Sequence, residues 1–214
     1  MSWLVKLVTG GRGRFKKLLV LFCFFIGTSL VVEGGWIHAK ALLAQQLIGR
    51  AWFESLELGK PVKPWPWADT WPVARLESKR LGVDLYVLSG GHGSALAFGP
   101  GLLQGVDHQG ADNQRVEYQD QPIIMAGHRD THFDFLKKLQ KQDELLFTDQ
   151  LGNRRSYTVT ALKVEDSKRQ QLQVDGMQLV LVTCYPFEAI RAGGSLRYVV
   201  RAKVKTKAET HYRI

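Results

Sequence analysis

Only two cysteines occur in 214 residues, Cys23 and Cys184. That scarcity excludes a disulfide framework. Cys23 lies in an apolar N-terminal run, far from the strand-like segment that carries Cys184, so a bridge between the two is not expected either. Acid is missing from the first 17 residues. Lys6, Arg12, Arg14, Lys16 and Lys17 there supply five of the nine excess positive charges of the chain. Charge gathered in so short an arm argues against nucleic acid as a partner. No internal repeat is present. Hydrophobic residues make up 45% and charged residues 23%, enough apolar material for one domain with a core plus extensions.

What is there begins with "LLVLFCFFIGTSLVV", Leu18 to Val32, without a charge. A full span needs about 20 residues. The run reaches that length at Ile37 if Glu33, Gly34 and Gly35 lie near the far interface, where Trp36 fits well. Residues 1–17 then read as a basic cytoplasmic arm and 18–37 as a transmembrane signal anchor. Basic residues on the near side put the N-terminus inside and the rest across the inner membrane, on the periplasmic or extracytoplasmic side. A cleaved signal peptide is the rival, with "AKA" at 39–41 as its cleavage site. Residues 38–70 read as a helical stalk followed by a strap. In "KPVKPWPWADTWPV", Pro61, Pro64, Pro66 and Pro72 exclude helix and central strand. Its tryptophans, Trp65, Trp67 and Trp71, are expected to pack on the domain rather than hang free.

From Val73 onward, short β-rich segments alternate with turn signals: 73–78, 83–88, 121–127, 143–148, 154–165, 177–183 and 196–205. That spacing predicts an all-β closed barrel or sandwich. One short helix is expected over 130–140, capped by Asp130 or Thr131. Residues 89–120 read as loops and short turns.

Three residues able to do chemistry sit at strand ends. "QPIIMAGHRDTHF" puts His128 directly after an apolar strand and a glycine. "LVLVTCYPF" closes another with Cys184, and "SLRYVVRA" has Arg197 entering a third. A thiolate is a nucleophile, favoured by nearby positive charge. Histidine delivers a proton to a leaving amine, and arginine holds a developing oxyanion. By residue type this is an acyl-transfer set. Each residue also has a plain structural reading: Cys184 as a core thiol, Arg197 on a solvated basic face with Arg201, Lys203, Lys205 and Lys207. His128 and His132, at i and i+4, could be half a zinc site, but no third ligand accompanies them, so no metal is expected.

In this order the motifs resemble those of the sortases, membrane-anchored cysteine transpeptidases. The match runs from Trp71 to about Lys205, through "ARLESKRLGVDLYVLSG", "AFGPG", "IIMAGHRDTHFDFLKKL", "LVLVTCYPF" and "LRYVVRAKV". "PWPWADTWPVARL" further resembles the single sortases of Gram-negative, often marine, proteobacteria. "ADNQRVEYQDQ" departs from the glycine-rich connection usual in the family. The resemblance implies a sortase-like closed barrel of about eight strands with one or two short helices, residues 71–207, and a short tail, 208–214. It implies Cys184 as nucleophile, His128 as general acid/base, Arg197 as oxyanion stabiliser (Arg191 and Arg201 being alternatives) and Thr183 as support. The implied reaction cleaves a C-terminal, LPxTG-like sorting signal through a thioacyl intermediate and transfers it to an amine acceptor, without a cofactor. Its partners are then a substrate protein carrying that signal, an amine and the membrane. Two other readings stay open: a peptidoglycan L,D-transpeptidase, against which Thr183 and Tyr185 beside the cysteine argue, and a non-enzymatic tethered β-domain.

Overall fold

The computed structural model describes residues 3–103, 121–174, 176–189 and 193–205. The chain divides into two compact units, residues 1–44 and 45–214. The described residues of the first unit lie within a helix, α1 (Trp3–Leu58). From Phe15 on, α1 is long and apolar enough to cross a membrane by length and composition. Phe22, Phe25 and Val31 there expose their side chains. A membrane anchor and a signal segment share that description. The Lys40 ammonium sits over the Trp36 ring, 5.0 Å from its centroid.

The second unit opens with the end of α1. Its Ile48 is buried against Leu88 and Ala95, with Trp65, Tyr86 and Phe98 packed around them. Gln45 donates through Nε2 to the Phe98 carbonyl at 2.6 Å. The Pro/Trp segment that follows lacks regular structure, as Pro61, Pro64 and Pro66 without backbone donors require, whereas Pro72 opens the first strand, a position proline tolerates. Trp65 meets Phe98 edge-on at 5.1 Å and Trp71 packs on the main core, but Trp67 is 83% exposed. The expected packing of the tryptophans therefore holds for two of the three.

Eight strands close a barrel. They are β1 (Pro72–Ser78), β2 (Val83–Ser89), β3 (Gly101–Leu102), β4 (Ile123–Ala126), β5 (Glu144–Asp149), β6 (Arg154–Asp166), β7 (Gln178–Cys184) and β8 (Leu196–Val204). Around the barrel the order is β1-β2-β3-β4-β7-β8-β6-β5. Every strand expected from the sequence is present. The two-residue β3 and a short helix, α2 (Gly93–Phe98), fall where only loops and turns were expected. Residues 104–120, with most of "ADNQRVEYQDQ", lie outside the described residues.

The short helix expected over 130–140 is corrected to a 3₁₀ helix, Asp134–Lys138, with no side-chain cap. Asp130 to Phe133 are spent instead on a turn closed by the Phe133 N–H donating to the His128 carbonyl at 2.9 Å. That turn swings Phe133 fully into the core. Only the remaining residues are free to wind, and too few remain for a regular α-helix.

Strand alternation sorts side chains between two faces. Leu179 and Leu181 of β7, Ile123 and Met125 of β4 and Val200 of β8 join the main core inside the barrel. Val180, Ile124 and Val199 face outward and form a separate apolar cluster. Leu172 and Val174, from the segment between β6 and β7, are packed against that cluster.

Candidate active site

β4 and β7 are parallel neighbours, in register from Ile123↔Leu179 to Ala126↔Val182. Pairing stops at Ala126, and His128 follows two residues later. Continued over those two residues, the same register brings His128 level with Cys184. On its other flank, β7 is antiparallel to β8, and Cys184 and Arg197 are direct Cα partners. Thus the ends of three adjacent strands carry His128, Cys184 and Arg197 in one row. By alternation with Val180 and Val182, Cys184 belongs to the outer face of the barrel. It is half-buried, whereas His128 is exposed.

Local chemistry fixes the His128 segment. A Cβ on Gly127 would lie 2.7–3.0 Å from the Phe133 ring, so only glycine lets that ring pack beneath the turn. Gly127 donates its N–H to Val182 O at 3.2 Å. The Gly127 carbonyl accepts the Thr183 hydroxyl at 2.7 Å. Thr183 is buried, so this bond satisfies a hydroxyl that would otherwise be costly there. It also ties the two strand ends together. Arg129 is buried as well and donates through Nη2 to Ala189 O at 2.7 Å. It joins the His128 turn to the segment after Cys184. The sequence reading passed over Arg129; an arginine beside the candidate acid/base histidine was the available signal.

The candidate arginines differ in what they touch. Arg197 donates through Nη1 to the carbonyls of Gly194 and Leu196, each at 2.9 Å. It has no carboxylate partner among the described residues. Arg201 grips Glu165 with Nη1–Oε1 2.6 Å and Nη2–Oε2 3.3 Å. It pairs with Val180, four residues and so two pleat repeats deeper than the row of Cys184. Arg191 lies outside the described residues. His132 sits in the turn ahead of the 3₁₀ helix rather than on it. Burial, opposed by a hydrogen bond to the Ala97 backbone and reinforced by His128, holds its imidazole below the ordinary histidine range. It is therefore neutral at neutral pH and braces the turn against α2.

After Cys184 the chain turns through a cis Tyr185–Pro186 peptide. Tyr185 stacks on Tyr198 with centroids 6.2 Å apart, and Phe187 meets Tyr198 edge-on at 5.2 Å. These rings wall one side of the β7 end and hold the turn. Among the described residues, no group of three or more His, Cys, Asp or Glu side chains is arranged to hold a metal ion.

The Sortase domain family matches residues 76–205. Sortase D of Bacillus subtilis (strain 168) is 27% identical over 131 residues, which are 60% of this chain and 61% of that protein's length. Sortase A from Corynebacterium diphtheriae shares the fold with a TM-score of 0.51 at 24% identity, over 67% of this chain and 65% of that one. Sortase C-1 from Actinomyces oris does so with a TM-score of 0.50 at 23% identity, over 64% and 75% of the two chains. With a family match over most of its length and this closed barrel, the chain belongs to the sortase family.

Proposed function

We propose that the protein is a membrane-anchored cysteine transpeptidase acting on a C-terminal, LPxTG-like sorting signal. The observation that carries this reading is the row of strand ends, with Cys184 the Cα partner of Arg197 and next to the parallel strand that leads to His128. In the first half-reaction the Cys184 thiolate attacks the scissile carbonyl carbon. The C–N bond breaks, and the protonated His128 gives its proton to the leaving amine. Arg197 stabilises the negative charge on the carbonyl oxygen meanwhile. To do so its guanidinium exchanges a backbone carbonyl for the oxyanion, a charge-assisted and stronger partner. An acceptor amine then attacks the thioester, passes a proton to His128 and releases the thiolate.

Anchoring suits this chemistry. A substrate with its own apolar tail waits at the same membrane, and tethering both to one surface raises their effective concentration. The N-terminus inside and the barrel outside follow from the basic residues that precede the apolar run.

The test is Cys184→Ala. The variant keeps its melting temperature, because the side chain is half-buried at a strand end. It forms no thioacyl adduct with a sorting-signal peptide, read by mass spectrometry of the intact protein. Wild-type cleavage by Cys184→Ala would refute the assignment.

A further inference from the structure

His128 is exposed, so its place is set by its neighbours in the chain rather than by packing around its ring. Both neighbours are tied to β7 or to the segment beyond it. Before His128, Gly127 donates to Val182 O and accepts from the Thr183 hydroxyl. After it, Arg129 donates through Nη2 to Ala189 O at 2.7 Å. On the other chain segment, Thr183 precedes Cys184 and Ala189 follows it. The same two ties therefore bracket both His128 and Cys184.

The second tie depends on one long side chain. Arg129 is 8% exposed, while His128 and Asp130 on either side of it face solvent. Burying a guanidinium is costly unless its donors are bonded. An apolar side chain of similar length would fill the space without desolvating a charge, so packing alone gives no reason for an arginine here. Its acceptor is a fixed point. The Ala189 N–H donates to Pro186 O at 3.4 Å, which closes a turn. Phe187 within that turn lies edge-on to Tyr198 of β8. Tyr185 leads into the turn, donating its N–H to Leu196 O at 3.1 Å and stacking on Tyr198. Arg129 thus reaches from the His128 turn to a stretch secured on β8, the strand that also carries Arg197.

Proton transfer is the step that needs such a brace. In the proposed first half-reaction the thiolate has only to meet the carbonyl carbon. The His128 proton has to meet the nitrogen of the C–N bond as that bond breaks. A misplacement of about 1 Å costs a step of this kind about 10²-fold. Resting on the transpeptidase reading, we infer that Arg129 is a positioning residue for this proton transfer. It holds His128 where its proton meets the leaving amine, and it takes no part in the attack by Cys184.

The test compares two substrates with the same acyl sequence in single-turnover acylation of the full chain in detergent, read by mass spectrometry. One is the sorting-signal peptide, whose amine must be protonated as it leaves. The other is the acyl segment ending in a nitrophenyl ester. Its C–O bond breaks as the Cys184 thioester forms, and the phenolate departs without a proton. Arg129→Met keeps the length of the side chain and removes its donors. Acylation of this variant by saturating peptide falls about 10–10²-fold, while acylation by the ester stays within about threefold of wild type. Arg129→Lys can still donate to Ala189 O, without the fork, and its peptide-to-ester ratio falls between the two. Asp143→Asn, in the pair with Arg80, keeps the wild-type ratio and controls for stability. An unfolded fraction lowers both rates equally, so the ratio reads position and not folding. Equal losses with both substrates, or an unchanged peptide rate in Arg129→Met, overturn the inference. Should that variant not fold, a wild-type ratio in Arg129→Lys overturns it. Failure of the wild-type chain to be acylated by the peptide would instead overturn the transpeptidase reading.

Discussion

On the β1–β2–β5 side of the barrel, charges are spent on each other. Arg75 holds Asp84 through two hydrogen bonds, at 2.7 and 2.5 Å. Arg80 reaches Asp143 and the Lys138 carbonyl. Arg154 stands 3.2 Å from Glu77. On the β4–β7–β8 side the pattern changes within a few residues. Arg201 is matched by Glu165, but Arg197, one strand away from the thiol, bonds only to backbone carbonyls among the described residues. A matched arginine stabilises or orients structure. An arginine without a carboxylate can give its charge to something else. The comparison separates arginines matched by a carboxylate from one that, among the described residues, is not, and it does so more sharply than residue type, since both sides use the same residues.

The largest effect is expected where that contrast is tested directly. Arg197→Lys keeps the charge but loses the fork, and thioacyl formation falls by about 10²–10³-fold, the size seen for an oxyanion donor. Arg201→Lys, in a matched pair, loses far less. If Arg201→Lys is the dead variant, the assignment of the two arginines is reversed. Single-turnover acylation rates decide.

Next comes the tie between the strand ends. Thr183→Val removes the hydroxyl and leaves the buried Gly127 carbonyl without that bond, costing about 1–3 kcal/mol of stability. Urea unfolding measures it. Acylation slows as well, because the ends carrying His128 and Cys184 lose their fixed spacing. A variant with unchanged stability and rate would show that the bond does nothing for either.

The smallest effect belongs to the matched side. Arg80 hydrogen-bonded to Asp143 holds that carboxylate below the usual range, as does the Gln140 N–H. A depressed folded value means the contribution is fully present above the ordinary carboxylate value near 4. It is lost as pH falls from there through the lower folded value. Asp143→Asn should therefore lower the melting temperature by a few degrees at pH 7 and by progressively less below pH 4, with acylation unaltered at pH 7. An equal loss at both pH values would assign the role of Asp143 to shape rather than charge.

Much of the fold was legible because strands write local patterns. Tyr157 to Glu165 alternates, and Leu179 to Val182 is continuously apolar, as a strand covered on both faces must be. β3 was illegible because two residues carry no period, and its place depends on Leu88 and Met125 in its neighbours. The 3₁₀ helix was overread because "DTHFDFLKKLQ" has helical composition. The Phe133 turn, set by a tertiary burial, overrode that preference. The candidate site was legible as residue types at strand ends, but Arg129 was not. Its role depends on a carbonyl 60 residues away, at Ala189.

The sequence by itself determined which segments are strands, the two-residue β3 apart, that an apolar run ends at Cys184, and that an apolar, basic-flanked stretch precedes the domain. Periodicity, turn chemistry and charge are local, and local patterns survive without a structure. The order around the barrel was decided only by the tertiary structure. β4 lies parallel to β7 although more than 50 residues separate them in sequence, and such a pair needs a long crossover that no local pattern announces. Register was decided there too. The partnership of Cys184 with Arg197, and of Arg197 with Glu165, depends on how three strands slide against one another, and burial of their inner faces allows one answer.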